Sequence, residues 1–259
     1  MEEINNLLSN FQGVSLKEID QVNLMNRVDT KFVFTKSEFL NFLPELIKFY
    51  NCLEISNERI QSYQSLYFDD ENFSFFRDHH NQKNNRFKVR MRNYVNSELF
   101  FLEVKHKQKK RTDKTRIKID KFVEKMDNSQ YEFIEKAFGS TKNLRPVIRN
   151  QFDRISLSGI GFPERLTIDL NIKFNWDNYY TNYDNVVVAE LKQSDLNRNS
   201  PFFYLMKKHL IRPFRISKYC IGLYLIYGQH IKKGNRFKNK VKILHSLNSM
   251  NYELSDSNG

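Results

Sequence analysis

The chain has 259 residues, with 42 Lys and Arg against 30 Asp and Glu, a formal net charge of +12. That length buries a full hydrophobic core, so no disulfide framework is needed, and one large domain is favoured over two small ones. The charge excess favours phosphate-rich partners, whether nucleotides, nucleic acid, polyphosphate or an anionic membrane surface, and does not choose among them.

Residues 1–5 are acidic and lack the basic and apolar regions of a secretory signal. Ile4, Leu7, Leu8 and Phe11 keep helical spacing and Ser15-Leu16-Lys17-Glu18 has the form of a capping box, so short helices precede the first strand, Arg27 to Phe34. Ser37 reads as the N-cap of a helix whose stripe is Phe39, Phe42, Leu43, Leu46 and Ile47, with Pro44 predicting a kink or a later start. From Gln61 to Asp120 the period is two, and Tyr63–Asp69, Arg86–Tyr94, Leu99–Lys107 and Lys114–Asp120 read as strands. A helix over Ser129–Phe138, ended by Gly139, precedes strands near Val147–Leu157, Arg165–Phe174 and Asn185–Lys192. Ser200-Pro201 opens a helix to about Leu210, and a last helix follows Ser217. After Gln229 the chain is basic and polar and reads as a frayed tail, with its cations in water or weakly against a polyanion. The longest apolar run, Tyr219–Tyr227, is far short of the ~20 residues that span a bilayer. Cys52 and Cys220 offer no metal-ligand spacing, which fits a reducing compartment, and a soluble cytoplasmic protein is the expectation.

Within the strands, cations recur at every second position. Because strand side chains alternate between faces, one face collects Arg27, Asp29 and Lys31; Lys88, Arg90 and Arg92; Glu103, Lys105 and Lys107; Lys114, Arg116 and Lys118; Arg165, Thr167 and Asp169; and Glu190 with Lys192. Many cations with few acids suit a chain of phosphates, and a few acids suffice for a divalent metal bridging them. Two architectures fit: an open antiparallel sheet with its charges in water, or a closed barrel with a polar lumen and an apolar outside packed on helices. The period does not separate them. The six histidines lack ligand spacing; His79-His80 falls in a polar loop and His106 has the opposite parity, so none is assigned a role.

Arg27-Val28-Asp29-Thr30-Lys31-Phe32, Ser65-Leu66-Tyr67-Phe68-Asp69, Lys88-Val89-Arg90-Met91-Arg92, Phe101-Leu102-Glu103-Val104-Lys105, Asp153-Arg154, Arg165-Leu166-Thr167-Ile168-Asp169, Val188-Ala189-Glu190-Leu191-Lys192 and Ser217-Lys218-Tyr219 follow in order. Together they resemble the VTC-type polyphosphate polymerase domain of the triphosphate tunnel metalloenzyme superfamily, over about residues 20–228. The resemblance implies an α+β fold with an antiparallel β-barrel forming a basic tunnel, and divides the chain into a tunnel domain, 1–228, and a basic tail, 229–259. It implies that Lys31, Arg90, Arg92, Lys105, Lys114, Arg154 and Arg165 grip triphosphate and growing chain, that Arg215, Ser217 and Lys218 bind phosphate, and that Glu190 holds Mn²⁺ or Mg²⁺. The implied partners are ATP and inorganic polyphosphate, with no specific nucleic acid and no transmembrane segment, and the implied reaction moves the γ-phosphoryl group of ATP to the end of a polyphosphate chain. A tunnel-fold triphosphatase and a non-enzymatic polyanion binder are the rivals. Against the first, the Glu-x-Glu-x-Lys strand of hydrolysing branches is here Arg27-x-Asp29-x-Lys31, a cation in place of an acid. Adjacent Ser217 and Lys218 cannot share one face of a strand, so a turn or helix start is expected there.

Overall fold

A computed structural model describes residues 1–21, 27–109, 111–139, 143–228 and 235–250. In chain order the elements are α1 (Glu2–Leu8), β1 (Gly13–Val14), α2 (Leu16–Gln21), β2 (Val28–Thr35), α3 (Lys36–Leu46), β3 (Tyr50–Leu53), β4 (Ile60–Asp69), α4 (Ser74–His80), β5 (Asn85–Tyr94), β6 (Leu99–Gln108) and β7 (Arg111–Ile119). There follow α5 (Asn128–Phe138), β8 (Arg145–Gly159), β9 (Glu164–Trp176), β10 (Tyr179–Tyr183), β11 (Val186–Gln193), α6 (Pro201–Lys208), α7 (Lys218–Tyr227) and α8 (Asn235–Ser249). Among the described residues, eleven strands make one sheet, whose main path β2-β11-β9-β8-β4-β5-β6-β7 is antiparallel throughout.

Alternation decides what each face does. The convex face of β2, β11, β9 and β8 presents Phe32, Phe34, Leu166, Ile168 and Val187 to α1, α3 and α6, where Phe39, Phe42, Phe202 and Phe203 complete a buried cluster. Each fully buried aromatic or aliphatic side chain there contributes roughly 1.5–3 kcal/mol relative to exposure. The other cluster joins Leu66, Phe68, Val89, Met91, Leu102 and Val104 with Phe75, Phe76 and Ile134 of α4 and α5. Helix α7 is apolar on nearly every side, the pattern of a helix buried all round. It seats against β8 and β9 so closely that a Cβ on Gly222 would stand 2.1 Å from Ile148 Cδ1.

Four expectations change. Among the described residues the main path of the sheet does not close by hydrogen bonds, and β2 and β7 stand at its two ends. The free edge of β2 is instead covered by the segment before α7, where Phe214 N donates to Lys31 O at 2.7 Å and Pro213 bridges Phe32. The sheet nonetheless curls into a tunnel, since Lys105 on β6 feels Glu190 on β11 and Asp29 on β2, five and six strands away along the ladder. Second, α3 is capped by Thr35 rather than Ser37, because the extended backbone of β2 runs to Thr35, whose hydroxyl accepts from Glu38 N at 3.2 Å while Glu38 accepts from Thr35 N at 2.7 Å. Third, His79-His80 ends α4 instead of lying in a loop. Fourth, much of the presumed tail is α8, which buries Phe237, Val241 and Leu244 in the same cluster as α7; residues 229–234 and 251–259 lie outside the described residues.

Candidate active site

Three carboxylates organise the concave face, each between two cations. On β6, Glu103 is 2% exposed and accepts from Arg90 Nε at 2.8 Å, with Lys114 Nζ 2.5 Å from its other oxygen. On β9, Asp169 takes a two-point grip from Arg154, at 2.6 and 2.8 Å, and a third contact from Lys218. On β11, Glu190 lies 2.5 Å from Lys31 Nζ and 3.3 Å from Lys192 Nζ. The register explains the triads: Arg90 faces Glu103, Glu103 faces Arg116 two residues along β7 from Lys114, Arg154 faces Asp169, and Lys31 faces Glu190.

The charges follow from this packing. Burial pushes the Glu103 carboxyl up, but Arg90, Arg92 and Lys114 outweigh it and hold it at about 2. Burial likewise opposes ionisation of Asp169 and Glu190, yet Arg154 and Lys218 hold Asp169, and Lys192 and Lys31 hold Glu190, well below the usual carboxylate range. Partial desolvation in the wall pushes the amines of Lys105 and Lys114 down to about 8, for Lys105 with repulsion from Lys88 added and for Lys114 against the pull of Glu103.

Cations exceed acids on this face. Among the described residues Lys88, Arg92 and Lys105 have no carboxylate within salt-bridge distance; Arg92 is 6% exposed, reaching Ser65 Oγ at 3.4 Å, and Lys88 donates to Ser217 Oγ at 2.9 Å. An aromatic floor lies beneath them. The guanidinium carbons of Arg92 and Arg154 stand 5.4 and 5.2 Å from the Tyr63 ring, which stacks on Phe152; Lys218 is 4.4 Å from Phe152, and Lys88 is 5.9 Å from Tyr219. Ring faces attract cations, so the floor offsets part of their desolvation without cancelling their charge. Tyr219 is itself fixed by its hydroxyl donating to buried Asp69, which also accepts from Phe75 N and Phe76 N at the start of α4.

Of the residues singled out in the sequence, Lys31, Arg90, Arg92, Lys105, Lys114, Arg154, Glu190 and Lys218 meet on this face, and Ser217 joins them as the N-cap of α7, its Oγ accepting from Cys220 N at 3.4 Å. The helix start expected at Ser217-Lys218 is there. Arg165 sits one alternate position beyond Thr167, in register with Lys192, and Arg215 lies exposed on the wall of an adjoining cavity. Alternation puts Lys88 and Lys192 on this face and Ser65 within a motif, but the sequence reading gives none of them a role in the site, and it gives none to the aromatic floor. The parity that selected Arg90 also places Lys88, and Tyr63, Ser65 and Tyr67 alternate in the same way, so the signal was present; their pairing across strands was not.

A hard divalent cation binds through one or two carboxylates, water and substrate phosphates. The donor set fits: Glu190 is an ionised oxygen donor facing the lumen beside Thr167 and Lys31, although no group of three His, Cys, Asp or Glu side chains forms a complete cage among the described residues.

Residues 26–227 match the VTC domain family. Among curated proteins none matches. Solved structures with similar backbones include a candidate adenylate cyclase from Bacillus halodurans, at 11% identity and a TM-score of 0.46, covering 74% of this chain and 96% of that one. Another is an adenylyl cyclase candidate from Hippeastrum described as having a dominant triphosphatase activity, at 11% identity and a TM-score of 0.47, covering 75% of this chain and 95% of that one. A third, from Pyrococcus horikoshii, has 12% identity and a TM-score of 0.40, covering 78% of this chain and 100% of that one.

Proposed function

Because the chain belongs to the VTC domain family, we propose that it is a polyphosphate polymerase that transfers the γ-phosphoryl group of ATP to the end of a polyphosphate chain and releases ADP. The observation that carries this reading is the combination of surplus lumen cations with three paired carboxylates of low basicity. Glu103, Asp169 and Glu190 are all held ionised far below neutral pH by the cations beside them. A carboxylate of such low basicity is poorly suited to take a proton from water. A terminal phosphate oxygen needs no such help, being anionic already. It attacks the γ-phosphorus, the bond from that phosphorus to the β-bridging oxygen breaks, and the electron pair leaves with ADP. This favours chain extension over hydrolysis of triphosphates.

Phosphoryl transfer passes through a loose transition state, so catalysis is mainly positioning and charge stabilisation. In this reading Arg90, Arg92, Lys105, Lys114, Arg154 and Arg165 hold the non-bridging oxygens, Lys31 and Lys218 orient the two phosphate chains, and Ser217 and Arg215 extend the grip toward the mouth. Glu103 and Asp169 are positioning residues that fix the guanidinium planes. Mn²⁺ or Mg²⁺ held by Glu190 and phosphate oxygens would supply further neutralisation of charge on the bridging oxygen.

Purified protein incubated with ATP and Mn²⁺ should yield long phosphate chains on a stained gel, with one ADP per phosphate added. Glu190→Gln and Arg92→Ala should each lower turnover by about 100-fold or more. Release of inorganic phosphate with no chain would replace this reading with a triphosphatase; tight binding of polyphosphate with no turnover under either metal would leave a polyanion binder.

A further inference from the structure

Beside the tunnel, between the start of β2, the ends of β5 and β6, the segment before α7, and α8, lies a cavity of about 1280 Å³. It shares Lys31, Lys88 and Ser217 with the candidate site, so the two spaces are continuous. Eleven of its thirty lining residues are Lys or Arg, and Asp29 is the one acid among them. Where the tunnel pairs cations with three carboxylates, this space hardly pairs them at all. The outer wall lies partly beyond residue 227, where the family match ends: in α8, Arg236 Nη1 donates to His80 O at 3.0 Å, and Lys240 Nζ donates to Arg215 O at 2.5 Å. Those two contacts tie α8 to α4 and to the segment that covers β2. Arg198, Lys207 and Arg212 stand on the same cavity, exposed and making no ion pair within the described residues.

We propose that this cavity is a second polyanion site, which holds a stretch of phosphate chain outside the catalytic centre, with α8 as its outer wall. It deepens the polymerase reading and rests on it for the identity of the chain. A cluster of like charges repels itself and is stabilised by a ligand that brings many negative charges to it. A linear polyphosphate does so, with about one charge per phosphate, whereas a single triphosphate fills the tunnel and leaves the cavity's cations unsatisfied. The physical consequence is that affinity depends on chain length: a long chain occupies both spaces and a short one only the tunnel. A chain held in the cavity stays tethered between successive additions, so the same site promotes long products.

The test measures binding of the full-length protein to long-chain polyphosphate and to tripolyphosphate, in the absence of nucleotide and metal, over a range of salt concentrations. In the variant Arg198→Gln/Lys207→Gln/Arg212→Gln, long-chain affinity should fall about tenfold or more, and the slope of log affinity against log salt should shrink by about two units. Tripolyphosphate affinity should stay within about twofold, which also shows that the tunnel remains folded. Unchanged long-chain binding, or equal loss for both ligands, overturns the second site. Failure of the polymerase reading shows up separately, as absence of chain growth from ATP by the unmodified protein.

Discussion

Lys105 and Lys114 carry the charge most easily lost from the tunnel, because desolvation holds both amines near pH 8 rather than in the usual lysine range. The sign follows directly: below about 8 both are ammonium ions that attract phosphate, and above it they are neutral amines that do not. Substrate affinity should therefore weaken as pH rises from 8 to 9.5, visible as a rising KM, while the double variant Lys105→Arg/Lys114→Arg, with guanidiniums that stay charged, should move that limb upward. An alkaline limb in the same place in the variant would sink the assignment. At this scale the sequence was informative, since alternation alone set Arg90, Arg92, Lys105, Lys114 and Glu190 on one face. What it withheld was pairing. Asp169 serves Arg154 and Lys218, from β8 and the start of α7, and nothing in the spacing of residues 154, 169 and 218 announces that meeting.

Helix α7 shows how an element acts beyond its own residues. It starts at Ser217 with a side-chain cap, delivers Lys218 to Asp169 and Tyr219 to Asp69, then packs its remaining length against β8, α8 and α4. Gly222 is where it comes closest, with Ile148 Cδ1 and Phe174 Cδ1 2.1 and 2.7 Å from the place a Cβ would take. Gly222→Ala should thus cost about 1–3 kcal/mol by overpacking, read as a lower midpoint of denaturation, and should weaken tripolyphosphate binding because Lys218 and Tyr219 move with the helix. Wild-type stability and affinity in that variant would show that the helix relaxes freely. The apolar run Tyr219–Tyr227 was legible as a buried element; the site at its first turn was not. Helix α8 was misjudged for a definite reason: its Phe237, Val241 and Leu244 recur at helical spacing, but seven surrounding residues of positive or amide character hide that stripe in any composition-based reading.

On the scale of the whole molecule, the curled sheet gathers the lumen cations Lys31, Lys88, Arg90, Arg92, Lys105, Lys114, Arg154, Lys192 and Lys218 around Glu103, Asp169 and Glu190, with Asp29 at one end. The unliganded tunnel is strained by its own charge, so an anion that fits it stabilises the fold by binding only the native state. Tripolyphosphate at about 100 times its dissociation constant should add about 2.7 kcal/mol and raise Tm by ~5–10 °C. Sulfate at equal ionic strength should do much less, since one small anion cannot span several triads; equal shifts from both would indicate general screening instead.

No helix of the described residues is long and apolar enough to cross a membrane, in keeping with the shortness of every apolar run in the sequence. The sequence by itself determined the strands, the two-faced pattern of charge and hydrophobicity, and the ordered motifs of the VTC domain, because alternation and local propensity act between neighbours in the chain. Only the tertiary structure decided that the ladder of the described residues stays open between β2 and β7, that the segment at Pro213-Phe214 covers the free edge, and that α8 packs with α7 in one buried cluster. Those outcomes depend on contacts between residues more than a hundred positions apart, such as Lys31 with Phe214 and Lys88 with Ser217, which periodicity does not encode.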